Sequence, residues 1–135
     1  MLFRSYEIPE GTKTSKGRAI QNLLNIEPSD SVRAVLTVKS IDDEAYINEN
    51  FVILCTERGT IKKTSLEAYS RPRANGITAI TVHEGDRLLE VALTNGKNHI
   101  VIAKSSGKAV HFNESDVRPM GRTAAGVRGI SLEGV

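Results

Sequence analysis

Tryptophan is absent, and three tyrosines with three phenylalanines bring the aromatic share to only 4% of 135 residues. Any core is therefore mostly aliphatic. A single cysteine, Cys55, excludes an intrachain disulfide and fits a reducing, cytoplasmic setting. That removes the small stapled modules of secreted proteins. The longest apolar run is five residues, Phe51 to Cys55, against the ~20 that a membrane span needs. No charged-then-apolar leader is expected, since Met1-Leu2-Phe3 is followed at once by Arg4. An excess of one charge is missing too: 18 basic residues stand against 16 acidic ones, a net charge of +2, so the bulk balance names no partner. What remains, 39% hydrophobic and 25% charged, lies within the globular range and suits one domain.

The local pattern is strand, turn, strand. Phe51-Val52-Ile53-Leu54-Cys55-Thr56 is a β-forming run closed by Glu57-Arg58-Gly59. Residues 77–82 (Ile-Thr-Ala-Ile-Thr-Val) predict a second strand, and residues 88–93 a third after the turn Glu84-Gly85-Asp86. Asn95-Gly96 is a strong hairpin signal. Residues 99–104 and 108–112 follow as further strands around Ser105-Ser106-Gly107. The stretch 18–26 fits a strand or a helical turn at Asn22-Leu23-Leu24. No window of helical length carries a clean 3.6-residue period, so the chain reads as all-β.

Internal repeats sharpen this reading. Phe51 to Gly59 aligns with His99 to Gly107 at an offset of 48 residues, and Ala74-Asn75-Gly76-Ile77 with Ala124-Ala125-Gly126-Val127 at an offset of 50. Ser15-Lys16-Gly17-Arg18 precedes the first of these glycine motifs by 59. The extra length falls near residues 40–50, where Asp42, Asp43, Glu44 and Glu49 predict a solvated hairpin tip. A unit of ~50 residues with about four strands is the size of one propeller blade. Two such units, roughly 10–70 and 71–120, are expected to be four-stranded. Residues 1–6 read as the tail of a preceding blade and residues 127–135 as the first strand of the next. Open edges at both ends suggest a piece of a longer protein.

The net charge hides a segregation. The segments 4–18, 58–73 and 104–122, which occupy equivalent repeat positions, carry +2, +4 and +2, leaving the rest of the chain at −6. Equivalent positions of stacked repeats fall on one side of an array, so a continuous basic stripe is expected. Such a stripe is either a solvated mixed-charge rim or a surface for a polyanion with a regular charge lattice, as duplex DNA has. No aromatics interleave with it, which argues against stacking of single strands.

Catalytic chemistry finds no constellation. His83, His99 and His111 are widely spaced and read as partly buried strand residues, and no Cys or His pair has zinc spacing. Gly59-Thr-Ile-Lys-Lys-Thr64 lacks the first glycine and the spacing of a phosphate-binding P-loop. Cys55, within an apolar strand, reads as inert core. Tyr6, Tyr46 and Tyr69 read as blade packing. Gly17, Gly76, Gly107 and Gly126 read as turn or positive-φ positions. No catalytic residue and no metal ligand is assigned.

The stretch Phe112-Asn-Glu-Ser-Asp-Val-Arg-Pro-Met-Gly-Arg-Thr-Ala-Ala-Gly-Val-Arg-Gly-Ile130 resembles the C-terminal domain of the A subunit of DNA gyrase, with the corresponding domain of topoisomerase IV as the near alternative. Tyr6-Glu-Ile-Pro9, Lys16-Gly-Arg18, Arg58-Gly-Thr-Ile-Lys-Lys-Thr64 and Asn75-Gly-Ile77 extend the resemblance over essentially the whole chain. It implies a β-pinwheel, a propeller-like disc that exchanges strands between blades and bends duplex DNA around a basic rim. The family's box Gln-Arg-Arg-Gly-Gly-Lys-Gly does not occur here. Gly11-Thr-Lys-Thr-Ser-Lys-Gly17, Ser70-Arg-Pro-Arg-Ala-Asn-Gly76 and Met120-Gly-Arg-Thr-Ala-Ala-Gly126 resemble decayed copies of it.

The resemblance further implies a bacterial, cytoplasmic type II topoisomerase of two A and two B subunits. Its DNA-cleaving tyrosine and its ATP and Mg sites would lie on other domains or subunits, leaving this chain with no cofactor of its own. The expected function is non-catalytic binding and wrapping of duplex DNA in support of ATP-dependent negative supercoiling. The residues expected to contact phosphates are Lys13, Lys16, Arg18, Lys62, Lys63, Arg71, Arg73, Arg118, Arg122 and Arg128. A propeller-type protein-interaction scaffold is the alternative.

Overall fold

The computed structural model describes residues 1–132. The chain divides into two compact units, Met1–Val32 with Pro72–Ile77, and Arg33–Arg71 with Thr78–Val135.

The first unit has no strand among its described residues. It takes three-ten turns at Ser5–Glu7 and Ile20–Asn22. The expected tail of a preceding blade at residues 1–6 thus ends in a turn, and the 18–26 stretch resolves as a turn and not a strand. Local hydrogen bonds hold it, such as Ser15 N to Thr12 O at 3.0 Å and Leu24 N to Ile20 O at 2.9 Å.

The second unit contains the sheets. Strands β1 (Phe51–Thr56) and β2 (Thr60–Ser65) form an antiparallel hairpin, which β3 (Leu88–Thr94) extends on the β1 side. β4 (His99–Ala103) and β5 (Ala109–Asn113) form a second hairpin, and β6 (Val127–Arg128) pairs back with β2. The result is a four-stranded sheet in the order β3-β1-β2-β6 and a two-stranded sheet β4-β5. The β1–β2 and β4–β5 hairpins are the 48-residue repeat made visible. Each is followed by a three-ten turn, Leu66–Tyr69 and Glu114–Asp116.

Five local expectations are corrected. Only one sheet is four-stranded among the described residues, and residues 127–128 complete it, where the opening of a next blade was expected. The acidic stretch expected as a hairpin tip is a short helix, α1 (Glu44–Glu49), because Asp43 caps it by accepting a hydrogen bond from Tyr46 N at 3.1 Å. Residues 77–82 form no ladder among the described residues. Their polar groups turn to the neighbouring loop instead, Thr81 N bonding Ala124 O at 3.3 Å. Asn95-Gly96 does not make a hairpin, since β3 and β4 belong to different sheets. The chain crosses between them because Glu114 captures both sides of the crossing, accepting from Thr94 Oγ1 and Asn98 N at 2.7 Å each.

The four-stranded sheet is covered on both faces. Strand alternation sends Val52 and Leu54 to a cluster with Ile47 of α1 and Leu66, joined by Tyr46, Tyr69, Ile80 and Val91. It sends Ile53 to a second cluster with Ile61 and Val117, joined by Ile100, Ile102 and Phe112 from the β4–β5 hairpin. Tyr46 and Tyr69 pack as expected, but Tyr6 is 78% exposed. Close approaches fix two glycines. Gly59 has φ +82°, and a Cβ there would lie 2.5 Å from Ile130 O. Gly126 has φ +104°, and its Cβ would lie 2.5 Å from Ile61 O.

Candidate nucleic-acid interface

In the first unit Lys13, Lys16, Arg18 and Arg73 are all exposed. Lys13 sits in a turn closed by Ser15 N on Thr12 O and by Thr12 N on Ser15 Oγ at 2.8 Å. Arg73 opens a turn closed by Gly76 N on Arg73 O at 2.9 Å, with Gly76 at φ +81°. In the second unit Arg71, Arg118 and Arg128 are exposed and Arg122 is half-buried. Arg128 lies on β6, opposite Thr60. Among the described residues none of these eight side chains is held in an ion pair. By contrast Arg87, which was not singled out, is tied to Glu57 at 2.9 Å.

Lys62 and Lys63 do not belong to this set. They are 0% and 3% exposed, so the expectation that they contact phosphates is corrected. The reason is the two-sided cover of β2. Adjacent strand residues point to opposite faces, and both faces are packed. Lys62 Nζ donates to Ala79 O at 2.5 Å and to Arg122 O. Burial first, and repulsion from Arg122 second, push its pKa down to about 8. Lys63 Nζ meets the Glu114 carboxylate at 3.4 Å and Glu114 O at 3.2 Å, and lies 4.4 Å from the centre of the Phe51 ring.

Sequence reasoning passed over Glu114. Its side chain is 0% exposed, and burial alone would raise its pKa. The bonds from Asn98 N–H and Thr94, with the charge of Lys63, outweigh that and hold the carboxyl below its ordinary value. The only sequence cue was its place at the end of a β-strand repeat, which carries no hint of burial.

The loop 118–126 is fastened along its backbone. Met120 N donates to Lys63 O at 2.8 Å. The carbonyls of three successive residues are engaged: Arg122 by Lys62, Thr123 by Thr81 Oγ1 at 2.6 Å, and Ala124 by Thr81 N.

The remaining candidates differ from expectation in detail. His99 and His111 are exposed and stack on one another, ring centres 4.9 Å apart and planes 21° from parallel, instead of being partly buried. His83 is exposed in a loop. Cys55 is half-buried, and burial first, with the nearby Asp86 charge, raises its thiol pKa. Gly76, Gly107 and Gly126 have positive φ, whereas Gly17 does not. No group of three or more potential metal ligands occurs among the described residues. No helix among them is long and apolar enough to cross a membrane.

The family model described as "DNA gyrase C-terminal domain, beta-propeller" matches residues 2–39, 50–95 and 99–134. The DNA gyrase A subunit of Klebsiella oxytoca is 43% identical over 129 residues, which is 96% of this chain and 14% of the relative. That of Clostridium acetobutylicum is 40% identical over 126 residues, 93% of this chain and 15% of the relative. The chain therefore spans about a seventh of the length of these relatives. A crystal structure of the C-terminal domain of DNA topoisomerase IV superposes with a TM-score of 0.80 at 27% identity, covering 95% of this chain and 38% of the other. A DNA gyrase A C-terminal domain structure gives a TM-score of 0.77 at 21% identity, covering 99% of this chain and 41% of the other, a likeness of fold. With its repeated hairpins, its back-paired β6 and this match along nearly its whole length, the chain belongs to the DNA gyrase C-terminal domain family of β-propeller-type proteins.

Proposed function

We propose that this chain is a non-catalytic module that binds duplex DNA through its phosphates. The observation that carries the reading is the set of eight basic side chains free of ion pairs among the described residues: Lys13, Lys16, Arg18, Arg71, Arg73, Arg118, Arg122 and Arg128. Seven of them, all but Arg128, fall in the basic segments that recur in the repeat, and the groups left unneutralised suit a polyanion whose charges recur regularly. They sit in loops and a two-residue strand, with no recognition helix to enter the major groove, so contacts to phosphate dominate and base readout is slight. We read the chain as repeat units of roughly 10–70 and 71–120, serving a cytoplasmic bacterial gyrase of two A and two B subunits. In that enzyme this region would support wrapping and ATP-dependent negative supercoiling, with the chemistry and its ATP and Mg held elsewhere.

Mobility shifts with a linear mixed-sequence duplex at several salt concentrations test the reading. Four to six phosphates neutralised predict that log K falls against log salt with a slope of roughly −4 to −5. Binding should be weak, alike for all sequences, and without wrapping, because bending ~20–30 base pairs costs on the order of 1–6 kcal/mol, more than so few contacts offset. Salt-independent binding would refute phosphate recognition. Writhe introduced into relaxed plasmid by this chain alone would refute the limit on wrapping.

A further inference from the structure

Of the two buried lysines of β2, Lys62 has a role that its charge disguises. Lys62 has no exposed surface, yet its ammonium is spent on two backbone carbonyls, those of Ala79 and Arg122. Tyr69 Oη also donates to Ala79 O, at 3.0 Å, so the 77–82 segment would keep a partner without Lys62. Arg122 O has no second donor among the described residues. The loop 118–126 carries Arg118 and Arg122. Its other fastenings are Met120 N on Lys63 O, the two bonds from Thr81 and the short β6 pairing at Val127. Lys62 is thus the one side chain among the described residues that reaches the backbone of Arg122 itself from the body of the sheet.

Charge makes the arrangement unusual. Placing an ammonium beneath an arginine is unfavourable, and the Arg122 charge does lower the Lys62 pKa. A neutral side chain of equal length would pack there without that penalty. What a lysine adds is a set of donors long enough to span from β2 to the loop and to hold a carbonyl inward. With the carbonyls of residues 122–124 all directed at unit-internal donors, the backbone around Arg122 is committed to one conformation.

We propose that Lys62 is a positioning residue for DNA binding: by gripping the carbonyls of Arg122 and Ala79 it fixes the 118–126 loop and so the presentation of Arg118 and Arg122 to a phosphate backbone. This rests on the DNA-binding reading above. It replaces direct contact by Lys62 with indirect action through a loop.

Two measurements on the whole chain separate the possibilities. Amide hydrogen exchange without DNA reads the grip alone. In Lys62→Met, the hydrogen-bonded amides of Met120 and Ala124 should exchange about tenfold faster or more, while β1 amides keep their protection. Unchanged exchange in the loop overturns the proposal whether or not the chain binds DNA. Duplex affinity then reads the consequence. Lys62→Met should weaken binding several-fold in the wild-type background but add little in Arg118→Gln/Arg122→Gln, because it acts through those two residues. Equal loss in both backgrounds means direct contact and overturns the proposal. Lys62→Arg, which keeps charge and donors, should restore part of the loop protection, and failure to do so argues against the grip. If Lys62→Met does not fold, Lys62→Gln, which keeps an N–H donor of shorter reach, carries both measurements with the same outcomes. Absence of any salt-dependent DNA binding by the wild-type chain would sink the DNA reading, while the exchange result would stand on its own.

Discussion

Removing the charge of Glu114 should destabilise the second unit far more than any surface substitution. The carboxylate is fully buried and its partner Lys63 has a side chain only 4% exposed. Glu114→Gln conserves volume but turns one carboxylate oxygen into an N–H₂ group. If the amide oxygen stays on Asn98 N, the N–H₂ group faces the Lys63 ammonium, two donors against each other. Lys63 then keeps only Glu114 O at 3.2 Å and the face of Phe51. Breaking one side of a buried pair costs about 3–5 kcal/mol, whereas replacing both charges by apolar or neutral groups of like volume is far cheaper. The double variant Lys63→Met/Glu114→Gln should therefore recover about 2 kcal/mol or more of the single loss. Against a typical total of 5–15 kcal/mol the single change should lower the urea midpoint by roughly 1–3 M. Far-UV circular dichroism is the suitable probe, since the chain has no tryptophan. A cost below about 1 kcal/mol for Glu114→Gln, or strict additivity in the double variant, would refute the reasoning that this pair holds the two sheets at their crossing.

The same carboxyl sets an acid limit. Its folded pKa lies below the ordinary 4.5, so its stabilisation is present above that value and is lost as pH falls through the lower folded one, a slope that Glu114→Gln should abolish in acid unfolding curves. Lys62 gives a slope of the same sign at higher pH. Its folded pKa of about 8 lies below 10.5, so between them the unfolded chain holds a proton the folded one has released, and stability should rise with pH. The gain is about 1 kcal/mol between pH ~7.5 and ~9. Denaturant melts should show it in the wild type and not in Lys62→Met. Cys55 and Tyr69, both raised, work against it only above their ordinary values of 9.0 and 10.0. Gly126→Ala should cost several times what Gly107→Ala does, roughly 3 against 1 kcal/mol by thermal unfolding, because both have positive φ but only Gly126 lacks space for a Cβ. Arg122→Glu should weaken binding to all duplex sequences alike and flatten the salt slope by roughly 1, and a sequence-selective effect would contradict phosphate contact.

The hairpins were legible in the sequence because they rest on local chemistry. β-Branched runs closed by Gly59 and Gly107 recur at a 48-residue offset and appear as β1–β2 and β4–β5. The Asp43 cap was equally local, but the acidic cluster around it drew the reading toward a solvated turn. The fate of Asn95-Gly96 was not legible. A two-residue turn can join strands of one sheet or release the chain to another, and the decision fell to the carboxylate of Glu114, well beyond the turn. Residues 77–82 have strand chemistry without a strand, since pairing needs a neighbour that composition cannot supply.

Sequence by itself determined the basic inventory and its recurrence, because charge and spacing are properties of the chain. It could not determine which charges meet solvent. Lys62 and Lys63 stand side by side in a strand that looks half-polar, and alternation predicts that one of them faces out. Only the tertiary structure brought packing to both faces of β2, with α1 and residues 79–80 on one side and the β4–β5 hairpin on the other. Under that cover an ammonium must find carbonyls or a carboxylate or not be buried at all. Ala79 O and Arg122 O receive Lys62, and Glu114 receives Lys63. Two residues that sequence assigns to DNA are thereby assigned by packing to the inside of the protein, because burial depends on what covers a strand and not on what the strand is made of.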